Sequence, residues 1–275
     1  MYISIYISMV ILITGSSSGI GKATAKLFQT KGWQVIATMR SPEKETELNL
    51  LPNIELVKLD VTDQRQIQEV MTKAIKKYKH IDVIVNNAGY GLIGPFEAAT
   101  SEEIQKQYDT NVFGLMHVCQ AILPHFREQK QGTIINVSSM GGRISLPFYS
   151  LYMSTKWAVE GFSESLQFEL NAFGIRVKLI EPGAIATDFF GRSLITTDTT
   201  KIPAYRTLFE QANANMHTTQ GSKAELVAQI IYKAATDKTT RLRYPVGKDA
   251  RVLLFFKRFL PDKVWLYIVR NIIFR

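Results

Sequence analysis

Three kinds of side chain able to hold or move a proton fall within one short stretch. It runs Ser138-Ser139-Met140-Gly141-Gly142-Arg143, then an apolar link, then Tyr152-Met153-Ser154-Thr155-Lys156. The run that follows, Ala158-Val159-Glu160-Gly161-Phe162-Ser163-Glu164-Ser165-Leu166, reads as helix. Positions four apart share a helix face, so Tyr152 and Lys156 project together. An ammonium beside a phenol favours the phenolate, which predicts a Tyr152 pKa below its ordinary value of about 10. Such a phenol can act as general acid or base near neutral pH. A Tyr-x-x-x-Lys pair also arises by chance in many helices, so its meaning depends on the elements around it.

Those elements alternate. Thr133–Val137 reads as a buried strand that delivers Ser138 and Ser139 to a sheet edge, and further apolar runs cover Met9–Thr14, Trp33–Thr38, Ile54–Leu59, Ile81–Val85, Ile175–Ile180 and Arg241–Val246. Helices are expected after the first strand (through Ala23, Ala25, Leu27 and Phe28), from Asp63 or Thr62 as cap to about Tyr78, over Glu102–Glu128, from near Tyr152, and over Glu225–Thr236. Strands alternating with helices throughout predict an α/β fold, a Rossmann-type doubly wound parallel sheet of about seven strands. At 275 residues and 46% hydrophobic, the chain suits one domain over 1–275.

The first strand runs into Thr14-Gly15-Ser16-Ser17-Ser18-Gly19-Ile20-Gly21 and then a helix. Strand, glycine-rich turn and helix in this order make a phosphate cradle, because free N–H groups and the helix dipole favour an anion there. Gly15 lets the chain turn, Gly19 admits a pyrophosphate, and Gly21 packs the helix on the sheet; Gly15, Ser17, Ser18, Gly19 and Ile20 are the expected contacts. The second strand ends in Met39-Arg40. An acid there would bind a ribose 2′-hydroxyl, whereas the fork of Arg40 suits a 2′-phosphate, so NADP(H) is expected over NAD. Asn86-Asn87-Ala88-Gly89 ends the fourth strand with small, hydrogen-bonding residues that suit a ligand crevice. Asn111 inside a helix has two readings: a structural amide, or a bend that holds water near the site.

Composition narrows the partners. A single cysteine, Cys119, excludes an intrachain disulfide and fits the reducing cytoplasm; its apolar neighbours Leu115, Val118 and Ile122 suit a buried thiol. The four histidines form no ligand pair, which disfavours a metal. The net charge of +9 points to anionic partners, but dispersed basic residues without a recognition motif argue against nucleic acid. Residues 1–9 do not read as a signal peptide; they extend the first strand, or Met9 is the start. From about 184 to 222 the periodicity fades into Thr, Asn and Gln, as in a substrate lid. The tail 251–275 mixes Leu253-Leu254-Phe255-Phe256 and Trp265–Val269 with Lys and Arg. It either contacts an anionic membrane peripherally or packs inward, capping an apolar pocket or forming a subunit contact.

In order along the chain, Thr14-Gly15-x-x-x-Gly19-Ile20-Gly21, Asp60-Val61, Asn86-Asn87-Ala88-Gly89, Asn111, Ser139, Tyr152-x-x-x-Lys156 and Pro182-Gly183-x-x-x-Thr187 resemble the short-chain dehydrogenase/reductase family in its compact single-domain branch. The match covers about Met9 to Thr187, and more loosely runs to Gly247. The resemblance implies hydride transfer between NADP(H) and a small-molecule carbonyl or secondary alcohol. Tyr152 would be the general acid or base, Lys156 its pKa-lowering partner and ribose ligand, Ser139 rather than Ser138 the holder of the substrate oxygen, and Asn111 the support of a water relay. Asp60 and Val61 would contact adenine, Asn87, Ala88 and Gly89 the adenosine ribose side, and Pro182, Gly183, Ile185 and Thr187 the nicotinamide. Tyr149 is a decoy, since Met153 stands four residues on. A homodimer or homotetramer is implied by analogy, and the apolar tail suggests a lipophilic substrate of steroid, retinoid or aryl/alkyl-ketone type. The alternative function is a catalytically silent NADP(H)-binding sensor.

Overall fold

Seven apolar runs become the strands of one sheet: β1 (Val10–Ile13), β2 (Gln34–Met39), β3 (Ile54–Lys58), β4 (Val83–Asn86), β5 (Gly132–Val137), β6 (Ile175–Pro182) and β7 (Arg243–Val246). The structure, a computed structural model, describes residues 8–186, 193–216 and 221–274. The order across the sheet is β7-β6-β5-β4-β1-β2-β3, every pair parallel. Successive side chains leave a strand on opposite faces. Leu12 therefore joins Ile36, Ile84 and Ile134 on one face, while Ile11 and Ile13 join Val35, Val83 and Ile135 on the other. Both faces are buried, which is why β1 is apolar at every position.

Helices supply the cover. Among the described residues they are α1 (Gly19–Thr30), α2 (Gln64–Tyr78), α3 (Ser101–Tyr108), α4 (Gly114–Glu128), α5 (Ser150–Leu170), α6 (Arg206–Met216), α7 (Ala224–Thr236), α8 (Lys248–Phe259) and α9 (Asp262–Ile273). Met71 of α2, Phe126 of α4 and Val159 of α5 pack on the Leu12 face; Phe28 of α1 and Ile231 of α7 pack on the other. Truncating either fully buried Phe to Ala should cost about 3–5 kcal/mol. Asp63 caps α2 by accepting from the N–H groups of Arg65 and Gln66 at 2.9 and 3.1 Å.

Three regions differ from the sequence expectation. The single helix over 102–128 is interrupted by a π-helical turn at Asp109–Phe113, which joins α3 to α4 around Asn111. The polar region after 184 contains α6 and a short strand, Leu194–Thr196, paired with Gly91–Ile93. α6 buries only Phe209 and Ala212, too little apolar periodicity to announce a helix. The tail forms α8 and α9. The extension of the first strand into residues 1–7 lies outside the described residues.

Candidate active site

Strand order reverses between β1 and β4, and the loops that leave the carboxyl ends of the strands part there into a cavity of about 600 Å³. One half of this cleft is made of backbone. Gly15, at φ +70°, presses so closely on the chain that a Cβ would lie 2.8 Å from Ala88 Cα; a Cβ on Gly21 would lie 2.3 Å from the Gly15 oxygen. The two loops are laced together. Asn87 Nδ2 donates to the carbonyls of Thr14 and Gly15 at 3.0 and 2.9 Å, and Thr14 Oγ1 accepts from the Asn87 and Ala88 N–H groups. The Asn87 amide is thus committed to holding the glycine loop, although the residue still lines the cleft.

Gly15, Ser17, Ser18, Gly19 and Ile20 line this half. Ser18, the N-cap of α1, makes no side-chain cap bond, and the first turn carries no acid. The N–H groups of α1 are therefore left for an anion, unlike those of the capped α2. Arg40, Asp60 and Val61 continue the wall, with Met39 buried beside Arg40. An uncapped helix N-terminus and an arginine at the far end fit a phosphorylated dinucleotide.

The other half holds the proton-bearing groups. Ser139 follows β5, and Tyr152 and Lys156 stand on α5, all three lining the cleft with Pro182, Gly183 and Ile185. Lys156 Nζ lies 5.8 Å from the Tyr152 ring centroid and donates to the Val137 carbonyl at 2.9 Å. The expected depression of the Tyr152 phenol is corrected here: burial pushes it up to about 12, and a hydrogen bond with Ser139 only partly offsets this. Burial likewise pulls the Lys156 ammonium down to about 8, against the opposing charge of Glu160. Desolvation is the leading cause of both shifts.

Ser139, not Ser138, reaches Tyr152. The Ser138 hydroxyl lies instead beside Gly142 and Glu160. Tyr149 also lines the cleft, its ring 6.5 Å from that of Tyr152. Asn111 does not line it. Its Oδ1 accepts from the Tyr90 N–H at 3.0 Å, and its Nδ2 donates to the Tyr90 carbonyl at 2.8 Å and to Thr155 Oγ1 at 3.2 Å. The bent helix is present, but the amide pins α5 at the residue before Lys156. Thr187 lies outside the described residues.

Sequence reasoning missed the apolar wall of this half, formed by Met140, Leu146, Met153, Ile195 and Met216. These residues come from several segments and share no motif. It also missed Phe148, whose φ of +63° is rare for a bulky side chain and costs about 1–3 kcal/mol. The ring packs against Phe209 at 5.2 Å and Phe274 at 6.4 Å, behind the cleft.

A doubly wound parallel sheet with an anion-ready loop facing a tyrosine, lysine and serine defines a nucleotide-cleft α/β protein equipped for proton transfer. Comparison with known proteins agrees. The short chain dehydrogenase model matches residues 9–199. A 3-ketodihydrosphingosine reductase of Bacteroides thetaiotaomicron is 34% identical, covering 95% of this chain and 96% of its own. A short-chain dehydrogenase from Streptomyces avermitilis superposes with a TM-score of 0.84 at 34% identity, over 96% of each chain. ElxO with NADP bound superposes at 0.72 with 29% identity, over 86% of this chain and 97% of its own. The chain belongs to the short-chain dehydrogenase family of oxidoreductases.

Proposed function

We propose that this protein is an NADP(H)-dependent oxidoreductase acting on a carbonyl or secondary alcohol of a lipophilic small molecule, of steroid, retinoid or aryl/alkyl-ketone type. The observation that carries this reading is the convergence of Tyr152, Ser139 and Lys156 on the cleft that α1 and Arg40 open to an anion. Gly15, Ser17, Ser18, Gly19 and Ile20 would hold the pyrophosphate and Arg40 the 2′-phosphate. Asp60 and Val61 would meet adenine, and Asn87, Ala88 and Gly89 the adenosine ribose side. Pro182, Gly183, Ile185 and Thr187 would hold the nicotinamide, with Tyr152 and Lys156 at its ribose and Asn111 as a positioning residue for α5. When bound, the nicotinamide supplies or accepts the hydride.

The chain's own task is the proton. With its pKa at about 12, Tyr152 keeps its O–H at neutral pH and can donate to a carbonyl oxygen held by Ser139. The phenolate left behind is stabilised by the Lys156 ammonium. Lys156 is protonated below about pH 8 and neutral above it, so carbonyl reduction should slow as pH rises through that value; a pH–rate profile flat from pH 7 to 10 would remove Lys156 from this role. The likeness to a ketone reductase of sphingoid type supports a long-chain carbonyl, and that to NADP-bound ElxO supports the phosphorylated cofactor. The buried Cys119 thiol, raised to about 12 by burial, suits a cytoplasmic protein rather than a thiol catalyst. Exposed Trp157 and Phe168 on α5, with open space over Gly161 between them, suit a homodimer or homotetramer contact.

The test is NADPH oxidation followed by absorbance against water-soluble and long-chain ketones. Turnover favouring long-chain ketones and NADPH over NADH is expected. Cofactor binding without turnover on any ketone would instead favour the silent sensor.

A further inference from the structure

Helix α8 turns an apolar face to solvent. Val252, Phe255, Phe256 and Phe259 follow the i, i+3, i+4, i+7 spacing of one helix face, and all are exposed, Phe259 to 66%. The opposite side buries Ala250 and Leu254. A stripe of this kind ordinarily faces the core, and an exposed one marks a surface made for a partner. α9 buries Trp265 and Ile273, while Leu266 and Tyr267 stand out at 60% and 65%.

Cations flank the α8 stripe and Tyr267 of α9. Arg251 and Arg258 lie four residues before and three after Phe255; Lys263 and Arg270 lie four before and three after Tyr267. Each set therefore shares one helix face. The only acid in residues 251–274, Asp262, is paired with Lys257.

We propose that α8 and α9 dock on an anionic lipid bilayer, with the exposed aromatic rings at the headgroup boundary and the flanking cations on lipid phosphates. Charge decides against a second copy of this chain as occupant, because pairing this face with itself would set cation against cation. No described helix is long and apolar enough to cross a membrane, so the contact is with the surface.

The buried side of the two helices, opposite the docked face, packs on the substrate half of the cleft. Leu254 and Trp265 pack with Ile144 and the cleft residue Met140. Asn215, beside the cleft residue Met216, donates to the Ile273 carbonyl at 2.9 Å. Resting on the lipophilic-substrate reading, the bilayer becomes the source of the substrate.

The test is sedimentation of the full chain with vesicles of phosphatidylcholine, with and without phosphatidylserine. The chain should sediment with the phosphatidylserine vesicles only, and added salt should release it. Combined Phe255→Ser, Phe256→Ser and Phe259→Ser should abolish binding, and Arg258→Gln or Arg270→Gln should each weaken it about five-fold. These side chains lie outside the cleft, so turnover of a water-soluble ketone should persist in every variant. Failure of the unmodified chain to sediment, or unchanged sedimentation of the triple variant, would overturn the docking. So would a concentration-dependent dimer that the Phe substitutions abolish. Sedimentation needs no turnover, so a protein inactive on all ketones that still sediments would sink the redox reading and leave the docking intact.

Discussion

The two halves of the cleft are built from different materials. Around Gly15, Gly21 and Asn87 the wall is backbone, fixed by strand ends and lacing hydrogen bonds, with no room for an added Cβ. Around Met140, Leu146, Met153 and Met216 it is side chain, contributed by segments that leave the sheet. The first half can hold one shape of ligand; the second can be re-lined without disturbing the fold. Substitutions should therefore separate cofactor affinity from turnover and substrate preference.

The largest effect is expected at Tyr152, where Tyr152→Phe should lower kcat by about 10²–10⁴-fold, the usual worth of a general acid. NADPH affinity, read by fluorescence titration, should fall no more than about five-fold, the worth of one hydrogen bond to the ribose; a parallel loss of both would merge the two halves. Next comes Gly21→Ala, which must displace the Gly15 carbonyl and should cost about 1–3 kcal/mol of stability with a weaker NADPH complex. An unchanged Tm and Kd would show that the loop yields easily. Arg40→Asp should cut the NADPH-to-NADH ratio of kcat/KM by about 10–100-fold, the scale of charge-assisted hydrogen bonds. An unaltered ratio would make Arg40 a surface charge. Smallest is Met216→Ala, expected to raise KM for a long-chain ketone about ten-fold while sparing a short one; equal effects on both would place Met216 outside the substrate wall.

The same division explains what the sequence discloses. Backbone sites at strand ends demand particular residue types, so the glycine loop was legible, and proton transfer and phosphate binding demand particular side chains, so Arg40 and Tyr152-x-x-x-Lys156 were too, as was the alternation that builds the parallel sheet. Side-chain walls demand only apolar bulk, so Leu146, Met153 and Met216 were not. Asn111 was legible as a helix irregularity, but its partners Tyr90 and Thr155 depend on packing between α5 and the loop after β4. The Tyr152 acidity came out opposite in sign because helical spacing reports the neighbour and not the burial. α6, α8 and α9 follow the tertiary surface they dock on, and α8 in particular places its apolar stripe away from the core.

The most direct test of the division uses one preparation of Tyr152→Phe. NADPH is first titrated to saturation, and the loaded protein is then mixed with a long-chain ketone in a single-turnover experiment. The expected result is a cofactor Kd within about five-fold of that of the unmodified chain and a rate of bound NADPH oxidation reduced at least about a hundredfold. Oxidation at the unmodified rate would contradict the assignment of Tyr152 as the proton donor and, with it, the placing of chemistry in that half of the cleft.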